Sequence, residues 1–176
     1  MRRLLVPISL IALFVPSAAA EVSQRGDGTL SIRDGRGTLV VHARGAVIGQ
    51  LTRFDRHGSL VIEDPVEGDG ARPKVVGADW TRKLADGTPA YGGKGIRFRL
   101  IGGRFVLRVT NVVGLQLSVV GRGNVTIDGA GSLTSGVSYD GVFSLNGEPA
   151  VSLPDDPATL PLRPPLARER QAGASR

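Results

Sequence analysis

Four arginines lie in two runs of alternating polar and apolar residues on either side of the dipeptide Gly102-Gly103: Arg97, Arg99, Arg104 and Arg108. Two glycines in succession predict a two-residue hairpin turn. Side chains alternate between the two faces of a strand, so these arginines share one face opposite an apolar one. The planar guanidinium group binds carboxylates and phosphates through paired hydrogen bonds. The pattern predicts a binding face for an anionic ligand, such as an acidic polysaccharide, another acidic polymer of the cell envelope or a lipid head group.

The same hairpin places Arg97 directly across from Arg108. Like charges directly opposite one another are mildly destabilising. The simpler interpretation is that solvent or nearby acids offset this charge, and the candidates are Glu63, Asp64, Glu67 and Asp69. Exposed rows of charge are commonly solvated, so the sequence leaves the anion-binding and the solvated interpretation both open.

Trp80 and Tyr91 lie in an irregular segment, residues 64–95, that is rich in glycine and proline. Either ring can stack on a sugar. Either can instead cover an open end of the core, and the sequence favours covering because so few aromatic residues are present. Val75-Val76 is a candidate short strand within this segment.

No catalytic, metal or cofactor site can be named. His42 and His57 are the only histidines, cysteine is absent, and no Gly-x-Ser-x-Gly motif occurs. Asp34, Asp128 and Asp140 lie at predicted turns, where aspartate has a structural role. The acidic stretch 63–70 does not have the spacing of a helix-loop-helix calcium site, so a solvated turn is the simpler interpretation. These features favour a non-catalytic protein.

Residues 1–20 have the three parts of a secretory signal. Arg2 and Arg3 form the basic start, an apolar run follows from Leu4, and small residues lead to a predicted cleavage after Ala20. The alternative is an uncleaved anchor, although the apolar run is shorter than the roughly 20 residues that span a bilayer. We therefore expect a protein that is secreted or held in the cell envelope.

Composition limits the source and the partners. Arginine outnumbers lysine 19 to 3, which is typical of a GC-rich genome, and export without cysteine suggests a bacterium. Without Arg2 and Arg3 the chain has 20 basic and 16 acidic residues, a net charge of +4. This small charge, together with export, argues against a nucleic-acid partner.

Residues 21–151 predict one all-β domain. The unit Gly-x-Leu/Val-x-apolar recurs from Gly28, Gly37, Gly58 and Gly123 without a fixed period. This favours an antiparallel meander of about ten short strands joined by glycine turns, forming a sandwich or roll, with a short β-helix as the second choice.

The predicted hairpins pair Leu30 with Leu39 and Val41 with Ile48, and a three-residue turn at Gly121–Gly123 forms another hairpin. Residues 152–176 are rich in proline and predict a disordered tail.

The leading functional interpretation is an exported non-catalytic protein of the cell envelope or extracellular space, with a structural or binding role. A binding module for anionic envelope polymers and a small exported hydrolase are the alternatives. The first alternative depends on the four arginines, whereas the second has no acid, base and orienting group that can be named together.

Overall fold

The structure is a computed structural model that describes residues 26–66, 68–70, 72–131, 133–134, 137–138 and 140–164. Within these ranges the protein is all-β, and about 70% of the described residues are in strands. The strands are β1 (Gly28–Gln50), β2 (Arg53–Glu63), β3 (Lys74–Val76), β4 (Trp80–Lys83), β5 (Pro89–Gly92), β6 (Arg97–Gly129), β7 (Leu133–Thr134), β8 (Val137–Ser138), β9 (Val142–Leu145), β10 (Val151–Ser152) and β11 (Ala158–Leu162).

The described part of the chain includes no helix of a length and hydropathy that would allow it to cross a membrane. The predicted signal segment, residues 1–20, lies outside the described residues.

Nine strands form one antiparallel sheet, and β7 and β8 form a separate pair. The main sheet is built on β1 and β6, which have 23 and 33 residues. They pair along the whole of β1, from Gly28 with Gly121 to Gln50 with Arg97. Residues 37–50 also pair on their other edge with a later part of β6, from Gly37 with Gly129 to Gln50 with Gln116. This part of β1 is therefore flanked by β6 on both sides.

Pairing on both sides requires β1 to curl. Gly37 pairs with Val112, and Gln50 pairs with Gln116. A straight strand from Gly37 to Gln50 would span about 43 Å. The four residue steps from Val112 to Gln116 can span only about 14 Å. The two ends of this part of β1 must therefore approach each other, and the sheet bends strongly.

The predicted turns are bends within continuous strands. Gly102 and Gly103 have φ angles of 78° and 81°, and Asp34 has a φ of 52°, yet neither position reverses the chain. Each coincides with a register shift between β1 and β6 or a break in the alternation of burial. Such shifts are typical of β-bulges, which bend a strand and increase its twist.

The predicted hairpin registers are therefore wrong. Leu30 pairs with Val119 and not with Leu39. Val41 pairs with Leu107 and Val125, and Ile48 pairs with Arg99 and Ser118. Arg97 lies opposite Gln50 and Val76, so it does not face Arg108. Gly121–Gly123 continues β6 without a reversal.

The predicted faces are confirmed. The apolar residues on both sides of Gly102-Gly103 are at most 2% exposed, and they are Ile96, Phe98, Leu100, Phe105, Leu107 and Val109. Leu30, Ile32, Leu39 and Val41 belong to the same buried cluster. The core therefore lies on the inner face of the curled sheet, and the arginines lie on the outer face.

Shorter strands extend the sheet. β2 pairs with residues 106–113 of β6, β5 pairs with β2, and β4 pairs with β5. The irregular segment 64–95 thus contributes three short strands, and the predicted strand at Val75-Val76 is confirmed as part of β3. On the opposite side, β9 pairs with β1, and β10 pairs with β9.

The chain does not leave the fold at Ser152. β11 pairs with residues 123–127 of β6, Leu153 is 8% exposed, and Leu162 is 1% exposed. The prediction of a tail from Ser152 is therefore corrected for residues 152–164, and residues 165–176 lie outside the described part. Pro161 is accommodated because β11 is an edge strand, where a missing N–H does not interrupt the ladder.

Candidate functional site

The outer face of the sheet has two rows of side chains across four adjacent strand segments. The register places Lys74, Arg99, Ile48 and Ser118 side by side, and we call these four residues the Arg99 row. It places Val76, Arg97, Gln50 and Gln116 side by side in the same way, and these form the Arg97 row. Four neighbouring strand segments span about 14 Å.

The two rows line one open groove with a volume of about 640 Å³. We call it the arginine groove. Arg97, Arg99 and Lys74 are its cationic residues, and all three are exposed. Amide and hydroxyl groups of Gln50, Gln116 and Ser118 lie on the other side. The groove therefore offers positive charge along one wall and neutral hydrogen-bonding groups along the other.

No acidic side chain neutralises the groove within the described residues. The ion pairs shown between described residues are Arg53–Asp55, Arg108–Glu63 and Arg122–Asp27. None of these pairs includes a groove residue. Three cations that share an open surface without a counter-charge produce a positive potential that attracts anions.

Arg104 and Arg108 lie farther along β6, beside the acidic segment. Arg108 forms an ion pair with Glu63, as the sequence allowed. The backbone N–H of Arg104 donates to the Asp69 carboxylate at 3.1 and 3.3 Å. Glu67, a third predicted acid, lies outside the described residues. The four predicted arginines are thus divided into a pair in the groove and a pair beside acids.

This division predicts unequal effects of substitution. We expect Arg108→Ser to change retention on an anionic matrix much less than Arg97→Ser, because Glu63 already neutralises Arg108. Both side chains of the Arg108–Glu63 pair are partly exposed, 44% and 24%. Loss of the pair should therefore change the free energy of unfolding by about 1 kcal/mol or less. Salt elution of the two variants, with urea unfolding as a control, measures both effects. An equal loss of retention in the two variants would contradict this prediction.

Trp80 and Tyr91 do not form a common stacking surface. Trp80 pairs with Gly92 and Thr81 pairs with Tyr91, so the two rings project from opposite faces of the β4–β5 ribbon. Tyr91 packs against the core. Trp80 is 40% exposed, and the guanidinium of Arg82 lies 5.3 Å from its ring centroid. Tyr91 thus packs against the core, whereas Trp80 lies at the surface.

The cleft beside Trp80 has a volume of about 320 Å³ and is lined by one carboxylate, that of Asp79. Asp79 accepts a hydrogen bond from the backbone N–H of Lys94 at 3.2 Å. His57 also lines this cleft, and His42 is exposed on β1. Among the described residues no three histidine, aspartate or glutamate side chains lie close enough to hold a metal ion. Among the described residues, this cleft has one carboxylate and not the pair that most glycoside hydrolases use.

Several groove residues were not predicted from the sequence, among them Lys74, Gln50 and Gln116. Alternation along β1 places Gln50 on the outer face, but only the register shows that Gln50 lies beside Arg97. Comparisons with protein families, with curated proteins and with solved structures find no match to this chain.

Proposed function

We propose that the protein is an exported, non-catalytic binding protein of the cell envelope or extracellular space, and that its arginine groove binds an anionic polymer such as an acidic polysaccharide. The observation that carries the proposal is the convergence of Arg97, Arg99 and Lys74 on one open groove, with no ion pair to a described acid. The composition of residues 1–20 supports export.

The groove chemistry favours an anionic carbohydrate over a small inorganic anion. Guanidinium groups bind carboxylates and phosphates in a planar, paired geometry. The amides of Gln50 and Gln116 and the hydroxyl of Ser118 can exchange hydrogen bonds with sugar hydroxyl groups. The groove is open and crosses four strand segments. A polymer chain can therefore lie in it and extend beyond both ends, which an enclosed pocket would not allow.

We infer further that the curled sheet is a roll and not a two-layer sandwich. Support comes from β6, which pairs with both edges of residues 37–50 and so joins the two sides of the core through one continuous ladder. A sandwich packs two separate sheets face to face. A roll with its apolar face inside leaves the outer face, including the arginine groove, available for binding.

Retention on an anionic matrix tests the proposed function. The chain without the predicted signal segment, residues 21–176, is loaded on immobilised polyuronic acid at low salt and eluted with increasing NaCl. We expect retention that falls steeply with salt, because exposed charges are screened. The double variant Arg97→Ser with Arg99→Ser should bind the soluble polymer about tenfold more weakly, a difference of about 1.4 kcal/mol.

The matched control is the double variant Arg82→Ser with Lys83→Ser, which removes the same charge from the exposed strand β4. It should retain nearly the affinity of the unmodified chain. Equal weakening in both double variants would mean that net charge, and not the groove, determines binding. If the unmodified chain is not retained at low salt, the proposed polymer binding is contradicted, and a purely structural role becomes the better interpretation.

A further inference from the structure

Next to the arginine groove, the outer face exposes a contiguous group of apolar side chains. Ile48 is 60% exposed, Ile101 is 57% exposed and Val120 is 40% exposed. Ala46 pairs with both Ile101 and Val120, and Ile48 is the next outward residue along β1. Diagonal neighbours on one face of a sheet lie within reach of each other. We call these four residues the apolar band.

A second set of cations borders the band on the side away from the groove. Arg44 pairs with Arg104 on one side and with Arg122 on the other, so three arginines lie side by side on adjacent strand segments. We call them the Arg44 row. Arg122 donates from its Nε to the carbonyl oxygen of Gly26 and lies 3.4 Å from the Asp27 carboxylate. Within the described residues, the side chains of Arg44 and Arg104 form no ion pair, although the backbone N–H of Arg104 donates to the Asp69 carboxylate.

The apolar band therefore lies between two groups of cations. Arg99 is directly opposite Ile48, and Arg44 is four residues before it on β1, a distance of about 13 Å along an extended strand. Arg44 lies directly opposite an arginine on each side, and like charges in this arrangement are destabilising in the unbound protein. Contiguous exposed apolar side chains rimmed by polar residues are a feature of protein and membrane interaction sites. Both features are accounted for by one partner that is anionic and apolar over a short distance.

We propose that this face docks on an anionic lipid membrane surface. The Arg44 row and the cations of the groove would bind headgroup phosphates, while Ile48, Ile101 and Val120 would enter the boundary between headgroups and acyl chains. Surface binding of this kind depends on apolar burial together with attraction to anionic lipids. A second copy of the chain does not fit this face, because pairing would bring the Arg44 rows together. This inference shares the groove cations with the proposed polymer function, but it rests on the apolar band and the Arg44 row, which polymer binding does not use.

Vesicle co-sedimentation tests the proposal. Residues 21–176 are mixed with vesicles of phosphatidylcholine alone or of phosphatidylcholine with phosphatidylglycerol. We expect binding to the anionic vesicles and little binding to the neutral ones. The double variant Ile101→Thr with Val120→Thr keeps branched residues suited to strands and changes no residue that lines the arginine groove. It should reduce the vesicle affinity about tenfold and leave the affinity for soluble polyuronic acid unchanged.

Val151→Thr is the matched control, because Val151 is an exposed apolar residue (54%) on β10, outside the band. It should bind vesicles like the unmodified chain. Equal vesicle binding by the double variant and the unmodified chain, or no binding of the unmodified chain to anionic vesicles, would overturn the membrane proposal. If the unmodified chain binds anionic vesicles but is not retained on immobilised polyuronic acid, only the proposed polymer function is contradicted. Circular dichroism confirms that each variant is folded.

Discussion

Replacing Gly123 with alanine is expected to lower the free energy of unfolding by about 3–5 kcal/mol. A Cβ atom at this position would lie 1.9 Å from the backbone oxygen of His42 and 2.7 Å from the Cα of Ala43. Both atoms belong to the β1 backbone, so neither can move away without breaking the β1–β6 ladder. Urea unfolding of residues 21–176 measures the effect, which corresponds to a fall of about 2 M in the midpoint.

Gly131→Ala is the control for backbone conformation. Gly131 also has a positive φ angle, 62°, but a Cβ atom there would lie within 4 Å of no atom of the described residues. Its substitution should cost about 1 kcal/mol, from conformational strain alone. Similar losses in the two variants would show that steric contact between β1 and β6 at Gly123 is not as close as described.

Ending the chain after Val151 is expected to lower the free energy of unfolding by more than about 3 kcal/mol. The truncation removes Leu153 and Leu162, and full burial of one leucine contributes about 1.5–3 kcal/mol. It also removes β11 and exposes the β6 backbone from Gly123 to Ile127. A newly exposed strand edge promotes association between chains, so sedimentation should detect oligomers. Thermal and urea unfolding measure the loss of stability.

A chain that ends after Pro164 is the matched control, because it keeps all of β11. Its stability should equal that of residues 21–176. If the chain that ends after Val151 also keeps full stability, then β11 does not contribute to the fold, and the sequence-based boundary at Ser152 is the correct one.

The proline content of residues 152–164 shows why composition was misleading here. Prolines at 154, 157 and 161 are typical of disordered segments, yet Pro161 lies opposite Asn124 in β11. An edge strand needs hydrogen bonds on one side only, so a residue without an N–H is tolerated. Only the tertiary structure shows that the edge of β6 at residues 123–127 is open to receive this strand.

The glycine positions show the same limit in the main sheet. Gly102-Gly103 was predicted to reverse the chain, but β6 continues through it. In both arrangements Leu100 and Phe105 face the same side. A two-residue turn places them opposite each other, and a one-residue bulge shifts the alternation by one position. The pattern of apolar residues cannot distinguish these arrangements.

Sequence alternation is thus sufficient to predict that the domain is all-β, which residues face the core, and that Arg97, Arg99, Arg104 and Arg108 face outward. These properties depend on the alternation of neighbouring residues along a strand, a local property of the chain. The pairing of strands in the folded chain was needed to show that Arg97 and Arg99 share a groove with Lys74, that Arg108 pairs with Glu63, and that Arg44 lies between Arg104 and Arg122. Strand partners depend on how two distant segments curl around a common core, and alternation within one strand carries no information about that.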